Sequence, residues 1–345
     1  MLRVLIVDDS PTARRLIAAI LGADPDIEVV GEASDGEQAV QLTQRLRPDV
    51  ITMDIHMPSL NGFDATHRIM SSCPTPIVIV SASTLVHEVE WAMKALQAGA
   101  LTLLLKPPGP EAPEYDRAAR ELVDTVKSMA DVKVVRRRPP KPAPQPQPQP
   151  APRTPRRRGQ VVAIAASTGG PPAIQQVLSA LPRDFACPIL LVQHIAPGFT
   201  AGLVAWLAST LKLEIKIAEA GEALRPGAVY VAPEDQHLGA TEKGRVLLST
   251  ADPIDGFRPS ATFLFDSVGR AYQRSTIAVI MTGMGSDGVD GLYALRKHGG
   301  RVIAQDKDSC VIYGMPAAAN EAGVVDVSLP PAQIANELLR GCHGK

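Results

Sequence analysis

Apolar residues fall in short, dense blocks, separated by longer stretches in which they recur every three or four positions. That is the pattern of strands alternating with amphipathic helices. In the first part of the chain Leu2–Val7, Ile27–Gly31, Val50–Met53, Pro76–Val80 and Leu101–Leu105 read as strands. Thr12–Leu21, Gly36–Leu46, Val86–Ala98 and Tyr115–Met129 read as helices. The strand blocks are nearly all apolar instead of alternating, as expected of a parallel sheet buried on both faces. Five such strands within residues 1–129 predict a flavodoxin-like, doubly wound α/β domain. The pattern resumes with strands at Val161–Ala165, Ile189–Gln193, Glu214–Ile217, Val229–Ala232, Ile277–Met281 and Arg301–Gln305. Helices are expected at Pro172–Ala180, Ala201–Thr210, Thr262–Tyr272, Asp287–His298 and Met315–Ala322. Residues 159–345 thus form a second open α/β domain.

Residues 130–158 break the pattern. Arg136-Arg137-Arg138 leads into Pro139-Pro140-Lys141-Pro142, then proline at every second position to Pro150, and the stretch closes on Arg156-Arg157-Arg158. Such a segment has no apolar surface to bury and reads as a solvated polyproline-II tether, able to span ~50 Å. The rest of the composition is ordinary, with 45% hydrophobic and 21% charged residues. A formal net charge of −1 gives no overall pull toward nucleic acid or membrane. The second half also lacks a helix-turn-helix pattern, so a DNA-binding output is not expected. The four cysteines stand far apart without a CxxC pair, which argues against a disulfide framework or zinc site and fits a reducing cytoplasm. The opening apolar run meets Asp8-Asp9 too soon for a signal peptide, and no stretch is long enough to span a bilayer.

In a doubly wound sheet, functional groups gather at the carboxyl ends of the strands. Asp8 and Asp9 follow the first strand of the first domain, Asp54 the third, Ser81 the fourth and Lys106 the fifth. Converging carboxylates repel one another and call for a hard cation, and a lysine opposite them can neutralise a phosphoryl oxygen. Alone each is weak evidence, since an acidic pair after a strand is more often a turn or a helix cap. Together they describe phosphoryl transfer to an aspartate.

The second domain offers a different chemistry. Ser167 lies in Ala165-Ala166-Ser167-Thr168-Gly169-Gly170-Pro171-Pro172, a strand-to-helix turn whose glycines allow a sharp bend. By itself this serine suits an N-cap, and Ala165 keeps it from being a G-x-S-x-G elbow. His194 follows the next strand, and Asp287 lies in the glycine-rich turn Thr282-Gly283-Met284-Gly285-Ser286-Asp287-Gly288. A nucleophile, a base and an orienting acid at one sheet rim favour a serine hydrolase.

Both halves resemble a known family. Val7-Asp8-Asp9-Ser10, Met53-Asp54-Ile55-His56-Met57-Pro58, Asn61-Gly62, Ser81 and Lys106-Pro107 are similar to response-regulator receivers. Ala166-Ser167-Thr168-Gly169-Gly170, Gln193-His194-Ile195-Ala196-Pro197-Gly198, the Asp287 turn and Gly299-Gly300-Arg301-Val302 resemble the chemotaxis protein-glutamate methylesterases. The resemblance implies that Asp54 accepts phosphate, with Mg²⁺ held by Asp8, Asp9, Asp54 and the backbone carbonyl of His56. It implies that Ser81 and Lys106 engage the phosphoryl group. In the second domain it makes Ser167 the nucleophile, His194 the base and Asp287 its orienting acid, with backbone N–H groups near Thr168 and Met284 as the oxyanion hole. The implied substrates are glutamate γ-methyl esters on chemoreceptors, with deamidation of receptor glutamines as a second activity. The implied phosphodonor is a histidine kinase, and a receiver fused to an esterase implies that unphosphorylated receiver covers the Ser167 pocket.

The chain departs from the family pattern at His56 (usually glutamate), Leu103 (often an aromatic switch residue), Ala166 (usually glycine) and Phe257 (commonly polar). His237 matches a family position and reads as a structural residue at the rim. The alternatives are an ester or amide hydrolase in another two-component pathway, and a scaffold whose second half only binds a partner.

Overall fold

The structure is a computed structural model that describes residues 1–82, 86–130, 132, 134 and 160–342, with backbone alone at 86–90. The chain divides into two compact units, Met1–Pro148 and Gln149–Lys345. The expected tether lies outside the described residues.

In the first unit the chain alternates β1 (Leu2–Val7), α1 (Pro11–Gly22), β2 (Ile27–Ala33), α2 (Gly36–Leu46), β3 (Val50–Met53), α3 (Gly62–Ser72), β4 (Ile77–Ser81), α4 (Val86–Ala98), β5 (Thr102–Leu105) and α5 (Tyr115–Ala130). The sheet order is β2-β1-β3-β4-β5 with parallel pairing throughout. This is the flavodoxin-like arrangement expected from the apolar blocks. Strands β3 and β4 are buried at every position, because helices cover both faces. The chain turns in opposite directions from β1 and β3, which opens a crevice at their carboxyl ends. Helix α3, which the periodicity did not reveal, is capped by Asn61, whose side chain accepts from the Asp64 amide. Leu103 is buried within β5.

The second unit runs β6 (Val161–Ala166), α6 (Gly170–Ser179), β7 (Ile189–Gln193), α7 (Thr200–Thr210), β8 (Glu214–Ile217), β9 (Ala228–Val231), β10 (His237–Ala240), β11 (Val246–Ser249) and α8 (Ala261–Tyr272). It continues with β12 (Thr276–Ile280), α9 (Val289–Lys297), β13 (Arg301–Gln305), α10 (Met315–Glu321), β14 (Val327–Leu329) and α11 (Pro331–Cys342). The seven-stranded sheet has the order β14-β13-β12-β6-β7-β9-β8, all parallel. From β6 the chain first builds outward through β7, then returns to build the other side from β12. The switch point therefore lies beside β6. The pairs Ala166↔Gln193 and Ala165↔Ile280 bring three strand ends side by side. The antiparallel pair β10–β11 and the closing elements β14 and α11 were not expected.

The cysteine expectation is corrected. Cys187 and Cys342 lie 155 residues apart in sequence, yet α11 packs against α6 and brings their Cα atoms to 6.0 Å, where a disulfide joins them. Spacing along the chain says little about distance once crossover helices fold remote segments together, and the cysteines no longer argue for a reducing compartment. Among the described residues no helix is long and apolar enough to cross a membrane.

Candidate active site

The first crevice is acidic. Val7↔Met53 pairing sets the ends of β1 and β3 level, and Asp54 donates its amide to the Val7 carbonyl at 2.8 Å. Asp8 and Asp54 are buried and Asp9 is exposed, and each offers an oxygen within 4.8 Å of the others. Lys106 Nζ lies 2.6 Å from Asp8 Oδ2 and 2.9 Å from Asp54 Oδ2. Burial pushes the Asp54 carboxyl above its ordinary value more strongly than Lys106 pulls it down. Both carboxylates raise the Lys106 ammonium against the cost of its own burial. Three hard oxygen donors around one crevice fit a divalent cation. Ser81 is buried at the end of β4, where its carbonyl accepts from the Lys106 amide. The His56 side chain faces solvent. Gly62 is required by contact, since a Cβ there would stand 2.0 Å from the Asp54 carbonyl oxygen.

The second site is built where β6, β7 and β12 end. Ser167 donates its amide to the Thr282 carbonyl, and the His194 amide donates to Ala166. Gln193 Nε2 donates to the carbonyls of Ser167 (2.8 Å) and His194 (2.7 Å), tying the serine turn to the histidine turn. Thr282 Oγ1 donates to the Thr168 carbonyl at 2.9 Å, while its own amide donates to Gln305 Oε1. Gly169 adopts φ +75° ahead of α6, a conformation open to glycine without strain.

His194 Nε2 lies 3.0 Å from Asp287 Oδ2, within ion-pair reach, although neither ring nitrogen makes a well-aligned hydrogen bond. Asp287 is 3% exposed and sits against the N-terminus of α8. It accepts from Ser260 Oγ at 2.8 Å, the Ala261 amide at 2.7 Å and the Thr262 amide at 3.0 Å. Burial alone would raise this carboxyl; contact with His194, its charge and the Ala261 and Ser260 donors bring it down to about 2. A carboxylate held by helix amides stays ionised and can steady an imidazolium. Met284 is exposed at the rim, and the Thr168 amide donates to none of the described backbone groups. Cys310 is not a competing nucleophile, because burial and Asp306 push its thiol up to about 12.

The structure thus brings Ser167, His194 and Asp287 to one rim, with Thr168 and Met284 beside them, and brings Asp8, Asp9, Asp54 and Lys106 to the other. Models of two families match the chain: "CheB methylesterase" over residues 162–338 and "Response regulator receiver domain" over residues 4–112. The chain belongs to the CheB methylesterase family. It is 52% identical to protein-glutamate methylesterase/protein-glutamine glutaminase 4 of Myxococcus xanthus, across 99% of this chain and 98% of that protein. It is also 52% identical to protein-glutamate methylesterase/protein-glutamine glutaminase 3 of Anaeromyxobacter dehalogenans, across 98% of each. The catalytic domain of Thermotoga maritima CheB methylesterase is 43% identical, with a TM-score of 0.51 over 52% of this chain and 97% of that one.

Three contributors to this CheB-family site escaped sequence reading. Ser260 donates to Asp287, Gln193 donates to the carbonyls of Ser167 and His194, and the Thr282 carbonyl accepts from the Ser167 amide. Ser260 left a signal, a serine just ahead of a helical pattern. It caps α8 by accepting from the Thr262 amide at 3.1 Å and donates to Asp287. Ser260→Ala is expected to cost about 1 kcal/mol of stability and to lower kcat. Urea denaturation and steady-state kinetics on the same preparation check both.

His237, which the sequence suggested as a rim or structural residue, lies behind the site. It is fully buried, stacks on Phe263 at 4.8 Å, accepts the Ser260 amide at Nδ1 and meets the Asp252 carbonyl through Nε2 at 3.1 Å. A ring that accepts at Nδ1 and donates at Nε2 is the neutral tautomer.

Proposed function

We propose that this chain hydrolyses glutamate γ-methyl esters on chemoreceptors, and deamidates receptor glutamines in the same site, at a rate set by phosphorylation of Asp54. The reading rests above all on the His194–Asp287 contact next to the Ser167 turn, in a chain so similar to relatives named for both activities. The parts are a receiver over 1–129, a tether over 130–158 and a catalytic domain over 159–345, working in the cytoplasm.

Ser167 Oγ attacks the ester carbonyl carbon. With Nε2 committed to Asp287, His194 Nδ1 is the nitrogen left to take the hydroxyl proton. Asp287 holds the ring and stabilises its charged form. The oxyanion is held by backbone N–H groups at Thr168 and Met284. Collapse breaks the carbon–methoxy bond, and the imidazolium returns its proton to release methanol. Water, deprotonated by His194, then cleaves the acyl-enzyme to free the glutamate and restore Ser167. A glutamine presents the same carbonyl and loses ammonia in place of methanol.

In the receiver, Asp8, Asp9 and Asp54 with the His56 backbone carbonyl are the groups to hold Mg²⁺, which supplies positive charge against the phosphoryl oxygens. The Asp54 carboxylate accepts phosphate from a histidine kinase. Lys106 pairs with the incoming group, and the Ser81 hydroxyl turns toward it. A tenfold to hundredfold activation needs only about 1.4–2.8 kcal/mol of coupling.

Methyl-labelled receptor membranes test this directly. Wild type is expected to release labelled methanol, at a rate raised at least about tenfold by a small phosphodonor with Mg²⁺. Asp54→Asn, or chelation of the metal, should keep the basal rate and lose the increase. Folded protein that releases no methanol from proven receptors would end the reading.

A further inference from the structure

Among the described residues, polar contact holds the His194 ring at one edge only. Asp287 meets Nε2 at 3.0 Å, and neither ring nitrogen makes a well-aligned hydrogen bond. An imidazole fixed at one atom can still swing about that contact, so something else must set its plane. Phe257 lies flat against it, with ring centroids 4.3 Å apart and planes within 10°.

The segment carrying Phe257 is itself braced. Ile254 and Phe257 exchange backbone hydrogen bonds of 3.1 and 2.9 Å around Asp255 (φ 50°) and Gly256 (φ 84°). Two consecutive positive-φ residues of the sequence Asp-Gly make a type I′ turn, whose twist suits a tight hairpin. Arg258 clamps the loop from the far side through Asp235 Oδ1 at 2.8 and 2.6 Å and the Thr250 and Ala251 carbonyls. His237 ties down both of its ends at Asp252 and Ser260.

We propose that Phe257 is a positioning residue for the esterase reaction: its ring fixes the plane of His194, aims Nδ1 at Ser167 and shields the imidazole face from water. The same face attracts the imidazolium that forms when Ser167 gives up its proton, because the aromatic quadrupole is negative there. The inference rests on His194 being the base of the proposed reaction.

The test uses the full-length protein on methyl-labelled receptors, with kcat, KM and thermal melting measured on every variant. Phe257→Leu removes the flat ring and is expected to lower kcat at least about tenfold with KM within about twofold. Phe257→Tyr, which keeps the ring, should restore kcat. Gly256→Val strains the turn at a position where nothing lies within 4 Å, and should lower kcat in the same way without touching the site. A Phe257→Leu enzyme with wild-type kcat, or one whose defect is confined to KM, overturns the proposal; the latter would make Phe257 a receptor contact. Wild type active with Ser167→Ala inactive, but Phe257→Leu unimpaired, defeats this inference alone. Ser167→Ala active defeats the underlying mechanism.

Discussion

Ser167→Ala is expected to lower kcat for methanol release by about 10⁵–10⁶-fold, to the assay baseline, while binding of methylated receptor stays unchanged. Both halves of the proposed reaction pass through the Ser167 oxygen, as nucleophile first and as leaving group second. The nearby thiol of Cys310 is a poor replacement, because burial and Asp306 push it up to about 12. The turn should survive the change, because residue 167 enters its hydrogen bonds through backbone atoms: Ser167 N to Thr282, Gly170 N to Ser167 O and Gln193 Nε2 to Ser167 O. Receptor co-sedimentation and methanol release, measured together, separate lost chemistry from lost binding.

Asp287→Asn should lower kcat by about 10⁴-fold with little change in KM. The Ser260 hydroxyl and Thr262 amide, which donate to Asp287 Oδ1, would hold the asparagine carbonyl there and leave its NH₂ at the Oδ2 position, facing the Ala261 amide and His194 Nε2. That nitrogen must then accept, so the ring proton moves to Nδ1, the atom that should receive the Ser167 proton. The change also alters stability with pH. The folded Asp287 carboxyl, at about 2, lies below its ordinary 3.8. A depressed carboxyl stabilises the fold above the unfolded value, here by about 2 kcal/mol. That contribution is lost as pH falls from about 4 toward 2. Urea unfolding of both proteins should show wild type more stable at neutral pH and the gap closing through that window.

Much of this was legible in the chain because buried parallel strands announce themselves. Val161–Ala166 and Val50–Met53 are unbroken apolar runs, and chemistry in such sheets sits just past their ends. Asp8, Asp54, Ser167 and His194 could thus be found by position. The register that sets Asp8 beside Asp54 is tertiary, and it is the flavodoxin-like order, with β1 paired to β3, that supplies it. Elements whose signal is tertiary stayed hidden. His237–Ala240 is a four-residue strand without alternation, recognisable only by pairing with Val246–Ser249. Cys187 and Cys342 meet only because the last helix returns to α6. The same holds for the supports of the triad. Asp287 could be named from its turn, but its low pKa comes first from contact with His194 and then from donors at the start of α8, which no motif connects to it. Phe257 stood out as a departure from a polar position. Its stacking on His194 needed the Asp255-Gly256 turn to be seen closed.

The measurement that bears most directly on a single receiver-controlled hydrolytic site is mass spectrometry of a receptor carrying both a γ-methyl glutamate and a glutamine. It would be incubated with wild type and with Ser167→Ala, each with and without phosphodonor and Mg²⁺. The account predicts ester-to-acid and amide-to-acid conversions by wild type, both faster with the donor, and neither by the variant. Conversion at either position by Ser167→Ala would contradict it.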